Sequence, residues 1–337
     1  MTTQQSEVSS IPHSNDNTNV AENDETKEHA EDEEDKILLI GAGTIGLSFA
    51  ALHLRFLKDA SNLTIHDTRP DLQNHVLTNL PPLLPDSLHA SIPHIHLSTT
   101  PTTLTAAASH AAIIQEQGPE NLPFKASLWA SLSPHVSPTA LLWSSTSGIP
   151  ASAQCASLPA ALRAQLLVVH PFNPPHVLPL VEVVPHAATS AAAVARTVAF
   201  WAARGRRPVV LRREVAGFVA NRLAFALLRE AVGLVREGVV SVAECDDIVT
   251  ASMGPRWAVW GPFRSYHAGG GEGGREAFFR NIGGSVQACW EEGSRVNFGK
   301  GEDWEEEVFR QCEETFGKVD LVDRDRKTTK VLEAVRD

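Results

Sequence analysis

The sequence predicts a doubly wound α/β fold, a mostly parallel sheet with helices on both faces, followed by an all-α segment. Three observations carry this. A short apolar run at 36–40 ends in the glycine-rich string 41–46, and a helical pattern at 47–57 and a second apolar run at 63–67 follow it. Short apolar runs then alternate with helical patterns out to about residue 213. Beyond that point only helical patterns and glycine-rich loops remain, with no strand pattern and no repeat.

Lys36-Ile37-Leu38-Leu39-Ile40 is nearly all apolar, as expected of a strand covered on both faces. In Gly41-Ala42-Gly43-Thr44-Ile45-Gly46, Gly41 permits a tight turn, Gly43 lets the backbone approach a pyrophosphate, and Gly46 lets helix and strand pack closely. Thr44 and Ile45 open the helix, whose N-terminus favours an anion. Leu63-Thr64-Ile65-His66-Asp67 is the second strand. Further strands fit 95–97, 112–114, 140–143, 166–169, 181–184 and 208–211, with helices at 122–132 and 192–203. Pro171-Phe172-Asn173-Pro174-Pro175-His176 is too rich in proline for a helix or central strand. It reads as a shaped loop at a strand end, where ligands of open α/β sheets bind. Residues 218–237 form a long amphipathic helix, and 242–251 another with Ser241 as its N-cap. The expected division is a tail over 1–35, a dinucleotide-binding domain over 36–213 and a helical domain over 214–337.

At 337 residues, 43% apolar and 20% charged, the chain has room for about two domains. Its apolar stretches are broken well short of the ~18 residues of a membrane span. The net charge of −11 is uneven: residues 1–35 hold eleven Asp/Glu and one Lys, so the rest carries −1. No basic stripe points to nucleic acid. Residues 1–35 lack aromatics and end in Glu31-Asp32-Glu33-Glu34-Asp35, so a disordered, solubilising tail is expected. The tail has neither the apolar stretch of a signal peptide nor the arginines of a transit peptide, and the C-terminus is no peroxisomal address; a cytoplasmic location is expected. Cys155, Cys245, Cys289 and Cys312 show no C-x-x-C spacing, which argues against a disulfide scaffold or a zinc site. The remaining histidines, such as His94, His96 and His135, show no metal spacing and read as surface residues; no metal is expected.

Asp67 ends the second strand 21 residues after Gly46, where a carboxylate grips the adenosine ribose of a dinucleotide. It would repel a 2′-phosphate, which favours NAD over NADP, although Arg69 lies close by. His170 ends one apolar strand and Glu182 sits inside the next. Paired, the carboxylate would fix the imidazole tautomer and raise its basicity, as a base accepting an alcohol proton requires. Unpaired, Glu182 faces solvent and His170 is a core residue; spacing alone does not choose. Ser144-Ser145-Thr146-Ser147-Gly148 either holds a substrate oxygen or forms a turn. With no G-x-S-x-G elbow, a nucleophilic serine is not expected. Asn221, near the start of the long helix, is either a ligand amide or a surface or hinge residue.

Jointly and in order, six runs resemble the L-3-hydroxyacyl-CoA dehydrogenase superfamily across residues 36–274. They are the glycine string, Gln115-Glu116-Gln117-Gly118-Pro119-Glu120-Asn121, Ser145-Thr146-Ser147, His170-Pro171-Phe172-Asn173-Pro174-Pro175, Pro179-Leu180-Val181-Glu182-Val183-Val184, and Glu214-Val215-Ala216-Gly217-Phe218-Val219-Ala220-Asn221-Arg222-Leu223. The resemblance implies a Rossmann domain that binds NAD and a helical domain that carries a homodimer interface. It implies His170 as catalytic base and Glu182 as the acid orienting it. Ser147 would lie beside the substrate hydroxyl and nicotinamide, Asn221 would contact the substrate, and Glu120 and Lys125 would lie at the cofactor side of the cleft. Residues 256–267 and the glycines after them are similar to the branch of L-carnitine dehydrogenase and, less closely, L-gulonate 3-dehydrogenase with its lens-crystallin relatives.

Two departures stand out. The stretch from Asp67 to Glu120 is short, and the helical pair found there in acyl-CoA-binding relatives is reduced to a proline-broken segment at 81–93, which disfavours CoA. Gln117 and Gly118 stand where larger or apolar residues are usual. The expected function is NAD-dependent oxidation of a small L-3-hydroxy acid such as carnitine or gulonate. The alternatives are an L-3-hydroxyacyl-CoA dehydrogenase proper and a non-catalytic, crystallin-like NAD-binding protein. Trp257, Trp260, Phe263 and Tyr266 are either an aromatic surface for a quaternary ammonium or core of the helical domain, with Arg256 or Arg264 as carboxylate binders.

Overall fold

Eight strands build one sheet in a computed structural model that describes residues 35–298 and 304–336. The acidic tail expected over 1–35 lies outside the described residues, except for Asp35. The strands are β1 (Ile37–Ile40), β2 (Leu63–His66), β3 (His96–Ser98), β4 (Ile113–Glu116), β5 (Leu141–Ser144), β6 (Leu166–Pro171), β7 (Leu180–Val184) and β8 (Arg207–Val210). Their order is β3-β2-β1-β4-β5-β6-β7-β8, and every neighbouring pair is parallel except β6–β7. The order reverses between β1 and β4, so the crevice at their carboxyl ends is the switch point where such sheets bind ligands.

The pleat sends Ile37 and Leu39 to one face and Leu38 and Ile40 to the other, and all four are buried. The first face is covered by α1 (Thr44–Leu54), α2 (Leu72–Asn79) and α7 (Ala191–Ala203), through Phe49, Leu52, Val76, Phe200 and Trp201. The second is covered by α3 (Pro101–His110), α4 (Leu122–Leu132) and the short α5 (Ala151–Gln154) and α6 (Ala160–Arg163), through Leu104, Trp129 and Leu162. The segment at 81–93 carries only tight single-turn helix, Pro81–Leu83 and Asp86–His94.

The expected strands are all present, but β4 and β6 run further than their apolar patterns, into Gln115-Glu116 and His170-Pro171. These polar residues are buried because they have partners. Reading the remaining histidines as surface residues needs correction: His94, His96 and His135 are exposed, but His53, His66 and His176 are buried, each hydrogen-bonded within the fold.

From Ala220 onward the described residues hold helices and their connections, with no strand among them: α8 (Ala220–Arg236), α9 (Val242–Ala251), α10 (Met253–Val259), α11 (Pro262–Ala268), α12 (Gly274–Glu292), α13 (Trp304–Phe316) and α14 (Leu321–Ala334). Ser241 caps α9 in a reciprocal box with Glu244. The helical part has a small apolar centre of its own, Val232, Val296 and Trp304, and leaves Leu223, Phe225, Leu228, Phe263 and Trp290 exposed. Phe218, at the entry to α8, is fully buried in the core of the sheet.

A Cβ on Gly46 would stand 1.9 Å from the Gly41 carbonyl oxygen, whereas one on Gly43 would meet no atom within 4 Å. Gly46→Ala is expected to cost about 2 kcal/mol or more through overpacking, and Gly43→Ala to keep the wild-type Tm. Thermal unfolding of the two variants checks the contrast.

Candidate active site

The glycine turn leaves β1 with Gly41 at φ +105°, its amide donating to the His66 carbonyl at 2.8 Å. Asp67 ties the turn to β2: Oδ2 accepts from the Ala42 amide at 2.8 Å and Oδ1 from the Arg69 amide at 3.0 Å. The Arg69 guanidinium is engaged by Asp71 at 2.8 Å, so it is not poised for a 2′-phosphate. The first turn of α1 has no acidic residue and no side-chain cap, which leaves the Thr44, Ile45 and Gly46 amides for an anion. The open face at Gly43, these amides and the spare lone pairs of Asp67 fit a dinucleotide, with pyrophosphate at the helix start and the adenosine ribose at Asp67.

At the ends of β4 and β5, Glu116 is fully buried and saturated. It accepts from Lys125 Nζ at 2.7 and 2.9 Å, from Ser144 Oγ at 2.8 Å and from the Gly118 amide at 2.6 Å. Lys125, expected at the cofactor side of the cleft, is itself buried, with its ammonium turned onto Glu116 and 3.8 Å from Glu120. It braces the cleft wall from behind, and the exposed carboxylate of the set is Glu120. Glu120 Oε1 accepts from Thr146 Oγ1 and from the amides of Ser147 (3.1 Å) and Gly148 (3.0 Å), which shapes the turn after β5. Ser147 is exposed, and its hydroxyl has no partner among the described residues. Removing one partner of a buried ion pair strands the other charge, at about 3–5 kcal/mol. Lys125→Met is expected to lose stability on that scale and Glu116→Gln/Lys125→Met to regain part of it, as read by urea unfolding.

His170 and Glu182 face each other across the antiparallel β6–β7 pair, both buried, with Nδ1 2.7 Å from Oε2. The other oxygen, Oε1, accepts from the Val219 and Ala220 amides, at 2.9 and 3.0 Å, at the start of α8. Burial opposes the Glu182 charge, but the His170 hydrogen bond and the two amides outweigh it and hold the carboxyl below its ordinary value. An ionised carboxylate only accepts, so Nδ1 carries the proton and Nε2 presents its lone pair. Nε2 has no hydrogen-bond partner among the described residues. The Phe218 ring packs against the imidazole, centroids 5.1 Å apart. Asn221 follows Ala220 in the first turn of α8, half-buried, its amide without a partner among the described residues. Glycine turn, Ser147 turn and His170 thus all lie at the carboxyl ends of the parallel strands.

The aromatic residues at and between α10 and α11 are not core. Trp257, Trp260, Phe263 and Tyr266 are all partly exposed, and Arg264 lies 4.5 Å over the Trp260 ring. Among the described residues no cluster of His, Cys, Asp and Glu could hold a metal. Sequence reasoning missed the bracing network. Ser48 Oγ lies 2.7 Å from His176 Nδ1, and His53 binds Gln115, whose amide nitrogen donates to Ser145. Burial drives both imidazoles down to about 4, helped by Arg55 beside His176 and, more weakly, Arg204 beside His53. In the unfolded chain they protonate below 6.5, so the unfolded state binds more protons between those values. Their contribution to stability is full above pH 6.5 and declines as pH falls toward 4. Urea unfolding from pH 7 to 5, above the carboxylate range, is expected to show this loss, and His53→Gln/His176→Gln to flatten it.

Comparison with known proteins matches residues 36–215 to the NAD-binding domain of 3-hydroxyacyl-CoA dehydrogenase and residues 217–294 to the C-terminal domain of that enzyme. The chain is 33% identical to a 3-hydroxyacyl-CoA dehydrogenase of Gibberella moniliformis, over 84% of this chain and 86% of the relative. It is 35% identical to an L-carnitine dehydrogenase of Streptomyces coelicolor, over 89% of this chain and 94% of the relative. The fold is shared with 5-formyl-3-hydroxy-2-methylpyridine 4-carboxylic acid 5-dehydrogenase, at TM-score 0.68 and 24% identity, covering 89% of this chain and 97% of that one. The chain belongs to the 3-hydroxyacyl-CoA dehydrogenase family and is an NAD-dependent oxidoreductase of 3-hydroxy acids.

Proposed function

We propose that this enzyme oxidises the hydroxyl of a small, free L-3-hydroxy acid of the carnitine kind, with His170 as its general base. The observation that carries the base assignment is the Glu182 carboxylate held between His170 Nδ1 and the amides of α8. His170 Nε2 takes the hydroxyl proton. Glu182 keeps the ring in the required tautomer and stabilises the imidazolium that forms. Ser147 and Asn221, each with a polar group that has no partner among the described residues, bind the substrate oxygen and orient its chain. NAD, when bound, supplies the hydride acceptor for the carbon that becomes the carbonyl. Glu120 and the residues of the glycine turn hold that cofactor, with Asp67 on its adenosine ribose. The Streptomyces coelicolor relative and the compact 67–120 stretch support a free acid; the name of the Gibberella moniliformis relative favours a CoA thioester as the second reading.

A cofactor domain over 36–213 and a helical domain over 214–337 that pairs two copies belong to the same proposal. The exposed apolar side chains of α8, Leu223, Phe225 and Leu228, support a homodimer, because a helical part with so few buried apolar residues has little core of its own. No described helix is long and apolar enough to cross a membrane. All four cysteines are free, in keeping with a cytoplasmic setting.

A positioned general base contributes about 10²–10⁴ in rate. His170→Gln is expected to lower kcat by that factor and leave NADH affinity unchanged; retained turnover would remove His170 from the role. Following NADH formation with carnitine, gulonate, 3-hydroxybutyrate and 3-hydroxybutyryl-CoA separates the substrate readings. Carnitine or another free acid is expected to lead, and a preference for the thioester would reverse the assignment.

A further inference from the structure

Beneath the glycine turn, beside the dinucleotide crevice, lies a polar side chain that the arrangement above leaves unused. Gln117 follows β4 directly, its backbone amide donating to the Ile40 carbonyl at 2.8 Å. Its own carbonyl oxygen lies beneath the glycine turn, 2.9 Å from where a Cβ on Gly41 would stand. Its side-chain Oε1 lies 3.7 Å from the corresponding point on Gly46, in the first turn of α1. Both Oε1 and Nε2 are buried, and neither has a hydrogen-bond partner among the described residues. Neighbouring polar groups are committed elsewhere: Gln115 to His53 and Ser145, Glu116 to Lys125, Ser144 and Gly118. Leaving a buried amide unpaired at both ends is costly and rare in folded proteins. An apolar side chain would fill the same space without that cost.

The placement says what would pair with it. Asp67 stands on the β2 side of β1 and Gln117 on the β4 side. A dinucleotide whose adenosine ribose sits at Asp67 and whose pyrophosphate sits at the start of α1 therefore carries its second ribose to the β4 side. A pyrophosphate offers only acceptors and would leave Oε1 unpaired. A ribose diol offers a donor and an acceptor on adjacent atoms, the complement of a carboxamide. We propose that the Gln117 carboxamide binds the nicotinamide-side ribose, Nε2 donating to one hydroxyl and Oε1 accepting from the other, which makes Gln117 a cofactor-positioning residue. The inference rests on the placement of the adenosine ribose at Asp67. The amide is covered by its neighbours, so the contact is made through a rotation of the Gln117 side chain. That rotation breaks no hydrogen bond among the described residues.

Calorimetric titration of wild type and Gln117→Leu with NADH, ADP-ribose and ADP tests this, because ADP-ribose keeps the second ribose and ADP lacks it. Gln117→Leu is expected to bind NADH and ADP-ribose about tenfold more weakly, the value of two neutral hydrogen bonds. ADP affinity is expected to be unchanged and Tm to be equal or higher, since an unpaired buried amide has been removed. Equal losses for all three ligands, or none, would overturn the assignment. So would a fall in Tm with ADP-ribose affinity intact, which would mark Gln117 as a packing residue. Asp67→Asn reports separately on the underlying placement and is expected to weaken all three ligands. If it leaves ADP binding untouched, the ribose placement at Asp67 fails and the Gln117 assignment falls with it.

Discussion

One buried carboxylate organises the site. Glu182 sits inside an apolar strand, where an unpaired charge would be prohibitive, and three donors surround it: His170 Nδ1 and the amides of Val219 and Ala220. The positive end of α8 adds its own preference for negative charge. The same interaction therefore sets two things at once. It fixes which imidazole nitrogen bears the proton, and it fixes where the first helix of the α-helical part starts relative to the sheet. Asn221, one residue beyond the bonded amides, inherits its position from that anchor.

The other strand ends use the same device. Asp67 accepts the Ala42 amide and so shapes the glycine turn; Glu120 accepts the Ser147 and Gly148 amides and so shapes the turn after β5. Glu116 is the buried version, neutralised by Lys125 and completed by Ser144 and Gly118. Loops at the carboxyl edge of a sheet expose backbone donors with no ladder partner. Here three acidic side chains at or just past the strand ends collect those donors and hold the connections as a rim.

Much of this was legible beforehand, and the parts that were not have physical reasons. The strands of the sheet announce themselves because β1, β5 and β6 are buried on both faces and so read as continuous apolar runs. Spacing alone does not decide the His170–Glu182 pair, because contact between residues twelve apart depends on β7 running antiparallel to β6. Had β7 joined the sheet parallel, its crossover would have separated them. Lys125 shows the converse: a motif named its neighbourhood, but only packing shows its ammonium turned away from the cleft onto Glu116. His53 looks in sequence like any histidine within an apolar helix, and its partner Gln115 lies 62 residues away. The exposed face of α8 has an amphipathic pattern that is the same whether the rest of the chain or a second copy covers it.

Phe218 adopts φ +50°, a conformation that costs a bulky residue about 1–2 kcal/mol and glycine almost nothing. The preceding Gly217 shares the left-handed region at φ +70°. Full burial of a phenylalanine ring returns about 1.5–3 kcal/mol, so the ring, not the backbone, selects this bend. The bend between sheet and helices is thus set from inside the sheet core, where Phe218 packs with residues such as Leu142, Val168 and Leu211. A change of volume at those positions would therefore act on the bend that leads into α8, and through it on the Val219 and Ala220 amides that hold Glu182.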